Sequence, residues 1–315
     1  MNSPVRRRRL TVGRGVALAL AIVPLSLTAC GDDEDKKSAA PAAKAAPTPL
    51  AITTSDAGAK RFETVAPKSI EGGLVELTFT NAGKAPHEAQ LIRVDGKHTA
   101  QEVLKVFTDE TGAPIPDWFH GAGGAGADPG QTVNATLNLP AGKYVMIDNL
   151  NGQEPGPSNS ARGALAEFDV TAGENGALPA STATITATTK HAEGEHTEGE
   201  RPHSFEISGL KVGKNRVRLA NEGEELHHAI LFPILPGKTI ADVEKAFTEE
   251  RPSGPPPVDF AGGAGTAVLD GDSEMVTDLV LRKPGKYAVV CFTTDRDGKG
   301  KQHLAEGMIE EVDVK

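Results

Sequence analysis

Asn81-Ala-Gly83-Lys-Ala-Pro-His87 recurs later in the chain as Asn221-Glu-Gly223-Glu-Glu-Leu-His227. Each copy keeps its asparagine, glycine and histidine at the same spacing, and the correspondence extends in both directions. Downstream lie Thr99-Ala-Gln-Glu102 and Thr239-Ile-Ala-Asp242, each with a hydroxyl at a helix N-cap and an acid three residues later. The helices are predicted to end at Phe107-Thr108 and Phe247-Thr248. Loops rich in proline and glycine are predicted next, closing on Gly123-Gly124-Ala125-Gly126 and Gly262-Gly263-Ala264-Gly265. Alternating strands follow at 132–139 and 275–281, then Pro140-Ala-Gly142-Lys-Tyr144 and Pro284-Gly285-Lys-Tyr287. Closing strands are expected at 164–170 and 308–314, and opening strands at 50–54 and 183–187. The order holds over roughly 120 residues per copy, so an internal repeat sets the architecture. The expected domains are 49–172 and 180–315, with 172–180 as a hinge. Short strands with frequent turn signals predict an all-β fold of two tandem antiparallel β-sandwiches, each with one short crossover helix.

Composition agrees. The 315 residues suggest about two domains. With 35 glycines, 22 prolines and 4% aromatics, turns are favoured over long helices. Two cysteines exclude a disulfide-rich scaffold, a Cys₄ zinc site and an iron–sulfur cluster held by this chain alone. Arg6 to Arg9 and Arg14 precede an apolar stretch, 16–27, that is short of the about 20 residues of a membrane span. This reads as a secretory signal over 1–29. It ends in Leu27-Thr28-Ala29-Cys30, which resembles the lipobox of bacterial lipoproteins. That resemblance implies cleavage before Cys30, a lipid on its sulfur, and an extracytoplasmic protein anchored to the cell membrane. Residues 30–48, rich in Ala, Pro, Lys and Asp, read as a flexible tether. Without residues 1–29, 28 basic residues face 43 acids, a net charge of −15, which argues against nucleic acid as a partner.

Cys291 closes the run Lys286-Tyr-Ala-Val-Val-Cys291, where period two puts Tyr287, Val289 and Cys291 on one face. A polar loop returns at His303, and Met308 follows, in the order Cys291-x11-His303-x4-Met308. His227 opens a strand upstream. An unpaired cysteine in an oxidising compartment is a liability unless ligated or shielded. Two histidines, one cysteine and a weak axial methionine form the ligand field of a blue-copper centre. Thiolate and thioether favour Cu(I), while imidazole accepts both oxidation states.

On these residues (Asn221-x-Gly223-x3-His227, Gly285-Lys-Tyr287-x3-Cys291 and His303-x4-Met308) the sequence resembles the cupredoxin family of plastocyanin-like blue-copper proteins. The resemblance implies Greek-key β-sandwiches with copper in the second domain, held by His227, Cys291, His303 and Met308. The loop from Cys291 to His303 is longer than in the smallest members, which leaves the electronic type of the copper open. His228 competes with His227. The sister pair, His87 and Glu88, favours His227, because Glu88 shares its face with Gln90; His228 shares a face with Ile230 and Phe232.

The first copy serves as a control. Aligning the repeats sets Asp148 against Cys291, Asn159 against His303 and Ala164 against Met308, so only His87 remains of the set. That domain is expected to keep the fold without copper. Trp118 and Phe119 offer either core packing or an exposed patch; His98 and His120 are expected at the surface. In the first turn of the second domain, His191, His196 and His203 interleave with glutamates, a loose accessory metal site at most. The expected function is one-electron transfer by a membrane-anchored copper protein with a redox or copper-exchange protein as partner. The alternatives are a copper carrier or scavenger, and a binding lipoprotein using the fold as a scaffold. With nine histidines and no His-x-His pair, a non-enzymatic protein is expected.

Overall fold

The computed structural model describes residues 46–315, except 59, 110–112, 151–155, 190–200, 250, 252 and 299–300. The signal segment, Cys30, most of the tether, His191 and His196 lie outside the described residues. The first half contains β1 (Thr48–Asp56), β2 (Phe62–Val65), β3 (Ser69–Glu71), β4 (Gly73–Asn81), β5 (His87–Val94), α1 (Ala100–Phe107), β6 (Phe119–Ala127), β7 (Thr132–Leu139), β8 (Gly142–Ile147) and β9 (Leu165–Thr171). The second contains β10 (Ala183–Thr189), β11 (His203–Ser208), β12 (Gly213–Asn221), β13 (Ile230–Pro233), α2 (Ile240–Thr248), β14 (Ala264–Gly265), β15 (Ser273–Leu281), β16 (Gly285–Val290) and β17 (Ile309–Val314).

Alternation builds the layers. In β4, Val75, Leu77 and Phe79 are buried between half-buried neighbours, and in β12 Val217 and Leu219 are buried on either side of the exposed Arg218. Their sheet has the order β11-β10-β12-β15-β7-β4-β1-β2. The strands β3-β9-β8-β5-β6 face it in the first half, and β14-β13-β16-β17 in the second. Leu50, Val75 and Phe79 meet Leu91, Tyr144 and Phe168 in one core, while Ile185, Val217 and Leu219 meet Leu231, Tyr287 and Val289. The fold is all-β, two β-sandwich halves each with one crossover helix, as the cupredoxin-like resemblance implied, but the expected purely antiparallel pairing does not hold: β1 runs parallel to β4, β10 to β12 and β3 to β9.

Both helices start on a reciprocal capping box, Thr99 with Glu102 and Thr239 with Asp242. Tyr144 and Tyr287 are fully buried and donate their hydroxyls to the carbonyls of Pro140 and Lys283, which fixes the corner before β8 and β16.

The two halves are continuous. β15 pairs with β7 through Met275↔Leu137, Val276↔Thr136 and Thr277↔Ala135. Gln90 also spans them, its amide donating to the Val268 carbonyl at 3.0 Å while its oxygen accepts from the Val268 N–H at 2.5 Å. Residues 45–315 form one compact unit. The segment expected to act as a hinge is tied down: Asn138 and Gly176 exchange hydrogen bonds at 2.9 and 3.0 Å, and the Leu74 N–H donates to Glu174.

The expected glycine-rich loop is overturned too. Gly123 to Gly126 do not end a loop; they lie inside strand β6. The glycines serve close approach, since a Cβ on Gly124 would sit 1.8 Å from the Ala89 carbonyl oxygen, where β5 and β6 shift register between Gln90 and Ile92. Gly124 also has φ +150°, whereas a Cβ on Gly126 would find its nearest neighbour at 4.0 Å. Gly124→Ala should therefore lower stability by about 1–3 kcal/mol or more, and Gly126→Ala by less than about 1 kcal/mol. Urea denaturation of both variants checks this; equal losses would contradict it.

Candidate metal centre

A buried asparagine delivers the first histidine. Asn221 is 2% exposed; its amide donates to the carbonyls of Glu225 (2.7 Å) and Leu269 (3.1 Å), and its oxygen accepts from the Gly223 N–H. This closes the turn before His227, whose backbone then bridges to Leu269. Gly223 is required because a Cβ there would meet the Thr189 hydroxyl at 2.7 Å. That hydroxyl is 2.8 Å from His227 Nε2.

The other expected residues converge through backbone hydrogen bonds. The Cys291 N–H donates to Met308, the Met308 N–H to His303, and the Leu304 N–H back to Cys291. The Gly307 that follows the His303–Glu306 turn has φ 106°, which glycine adopts readily. As a result, Cys291 Sγ is 3.7 Å from Nδ1 of both His227 and His303, and the two Nδ1 atoms are 3.0 Å apart. All three side chains are fully buried, as is Met308. These separations suit three donors around one ion with bonds of about 2.0–2.3 Å. His228 faces elsewhere, its Nε2 accepting from the Phe292 N–H at 3.0 Å.

The ring nitrogens turned away from this triangle are held. His303 Nε2 is 3.1 Å from Asp295 Oδ1, and His227 Nε2 is on Thr189. Thr293 gives its proton to the Leu226 carbonyl at 2.6 Å, so its oxygen accepts from Cys291 Sγ at 2.9 Å. Burial, then the neighbouring histidines, pushes His227 down to about 2, and burial pushes His228 down to about 4. Burial pushes the Cys291 thiol up. Without a metal His227 is thus held neutral, and Cys291 keeps a proton that it must lose to become a ligand.

The long loop after Cys291 is braced by the first half. The Arg296 guanidinium donates to the Phe119 carbonyl (3.1 Å) and to Asp270 (2.6 Å), and the Arg296 carbonyl accepts from the Ile115 N–H. Trp118 stacks on His98 at 4.0 Å and Phe119 is buried, so this segment packs inward. His120 bridges Asp95 and Asp270.

His203 stands in a place that sequence order did not suggest. It opens β11 fully enclosed and stacks on His303 with ring centroids 3.8 Å apart. His203, His227 and His303 each offer a nitrogen within 4.8 Å of the others. The repeat held the signal: β10 and β11 pair Thr189 with His203 as β1 and β2 pair Asp56 with Phe62.

The aligned residues of the first half also meet. His87 Nδ1 is 2.5 Å from Asp148, whose same oxygen accepts from the Asn159 amide at 3.1 Å, all fully buried. A hydrogen-bonded set thus fills the place that Cys291 and His303 take in the second half.

No protein-family model and no curated protein matches the chain. Among solved structures, it is similar to a multicopper oxidase at 18% identity, over 85% of this chain and 88% of that one, with a TM-score of 0.22. It is also similar to auracyanin B at 16% identity, over 42% of this chain and 88% of that one, with a TM-score of 0.24. At these scores the likeness bears on no residue of the site. The expectation of a non-enzymatic protein does not stand against the first match, because a multicopper oxidase is an enzyme. That expectation rested on scattered histidines, and folding has gathered three of them.

Beside the sister set, burial and then Asp148 lift Glu88 to about 7 from an ordinary value of 4.5. The folded chain keeps a proton there that the unfolded chain releases, so stability is lost as pH rises from about 4.5 to about 7. Glu88→Gln should reduce this slope, with Asp148, also raised by burial, leaving a remainder. Thermal melting of both proteins at pH 5 and pH 8 measures it. An unchanged difference between the two pH values would contradict the assignment.

Proposed function

We propose that the second half binds copper through Nδ1 of His227 and His303 and Sγ of Cys291, with Met308 as a weak axial donor, and that the protein passes single electrons. The observation that carries this reading is the convergence of one thiol and two imidazole Nδ1 atoms at 3.0–3.7 Å in a fully buried place. Copper held there supplies one-electron chemistry, since this mixed set is acceptable to both oxidation states. The chain supplies the rest. Thr189 and Asp295 hold the imidazoles by their far nitrogens, so the near lone pairs stay aimed at one point. The backbone bonds among Cys291, His303 and Met308 leave these residues little room to rearrange when charge changes.

In this reading 180–315 is the copper-bearing domain and 49–172 a copper-free one that braces the ligand loop. Signal-peptide removal and a lipid on Cys30 tether the protein to the outer side of the cell membrane, where a redox protein is its partner. Among the described residues no helix is long and apolar enough to cross a membrane.

Cu(II) added to the full chain should give an intense thiolate-to-copper absorption and a reversible one-electron wave. Cys291→Ser should abolish the colour and Asp148→Ala should retain it. Colour surviving in Cys291→Ser would overturn the ligand assignment, while colourless copper binding, or isolation only as Cu(I), would favour a carrier.

A further inference from the structure

His203 Nε2 faces away from Cys291 into a second cluster. It lies 3.3 Å from Asp295 Oδ1 and 3.5 Å from Glu306 Oε2. The His203 ring is fully enclosed, and both its Nε2 and the Glu306 oxygen are buried without a hydrogen-bond partner. Polar atoms brought together out of water in this way are costly unless something holds them. Donors on one tetrahedral ion with bonds of about 2.0–2.2 Å stand about 3.3–3.6 Å apart, which matches both separations.

The sister half shows what stands here otherwise. By strand register Phe62 takes the place of His203, and by alignment of Gly163 with Gly307 Arg162 takes that of Glu306. The Arg162 guanidinium lies over the Phe62 ring, 5.1 Å from its centroid. There the chain brings its own cation to an apolar ring. In the second half an imidazole and two carboxylates occupy the corresponding space.

We propose that His203, Asp295 and Glu306 form a second cation site, distinct from the thiolate site, that takes a borderline divalent ion such as Zn(II) or Cu(II). One nitrogen and two oxygens, without sulfur, select such an ion over Cu(I). Glu306, 24% exposed, gives the ion its way in. Asp295 Oδ1 also holds His303 Nε2, so the two sites share one carboxylate. The cation site itself does not depend on the copper reading.

Zn(II) titration by calorimetry tests this, on the copper-loaded full chain and on its Cys291→Ser variant. One equivalent should bind in both, and Glu306→Gln and His203→Gln should each weaken it at least tenfold. Glu306→Gln should leave the thiolate–copper colour intact. Absence of zinc binding, or binding indifferent to both substitutions, overturns the proposal; the latter places zinc on other residues. If the copper-loaded chain shows no colour, the electron-transfer reading fails while the Cys291→Ser titration still decides the cation site.

Discussion

A buried asparagine amide governs both halves of this molecule. Asn221 and Asn81 each close a tight turn with three hydrogen bonds, two given by the amide and one accepted by its oxygen. Buried amides of this kind are costly to leave unpaired, so the turn has one conformation, and the histidine after it one exit. The glycine inside the turn lets the neighbouring strand come close. In the second half that strand brings Thr189 to His227; in the first, a Cβ on Gly83 would crowd His87 Nε2 at 3.1 Å. The position of the first imidazole thus follows from backbone hydrogen bonding before any metal is considered.

The two halves use one frame for different chemistry. In the first, His87 Nδ1, Asp148 and Asn159 hydrogen-bond to one another, while His87 Nε2 is buried without a partner. In the second, a thiol and two imidazole Nδ1 atoms converge on one point, and the polar partners sit behind the rings. Continuity of the large sheet and the Arg296 contacts make the first half part of the second half's support. The segment between the halves is likewise hydrogen-bonded to the first.

Much of this was legible in the residues. Capping boxes at Thr99 and Thr239 and the shared face of Tyr287, Val289 and Cys291 follow from local periodicity and hydrogen-bonding chemistry. The choice of His227 over His228 came from comparing repeats, and in the structure His227 is the one beside Cys291. The glycine run at 123–126 was misread because composition reports conformational freedom and not close approach. Its function as a strand depends on the Ala89 carbonyl across the sheet, a contact no local signal carries.

The sequence by itself determined the repeat, the two capped helices, the strands at 132–139 and 275–281, and which half keeps a thiol, because these depend on residue types at short spacing. Tertiary structure alone decided the rest. It joined the halves through β15 and β7, and it brought His203 out of an apparently loose acidic insert to stack on His303. It also set Asp295 and Glu306 against that ring. These meetings come from strand register and sheet closure, which pair residues far apart in the chain and leave no periodic trace in it.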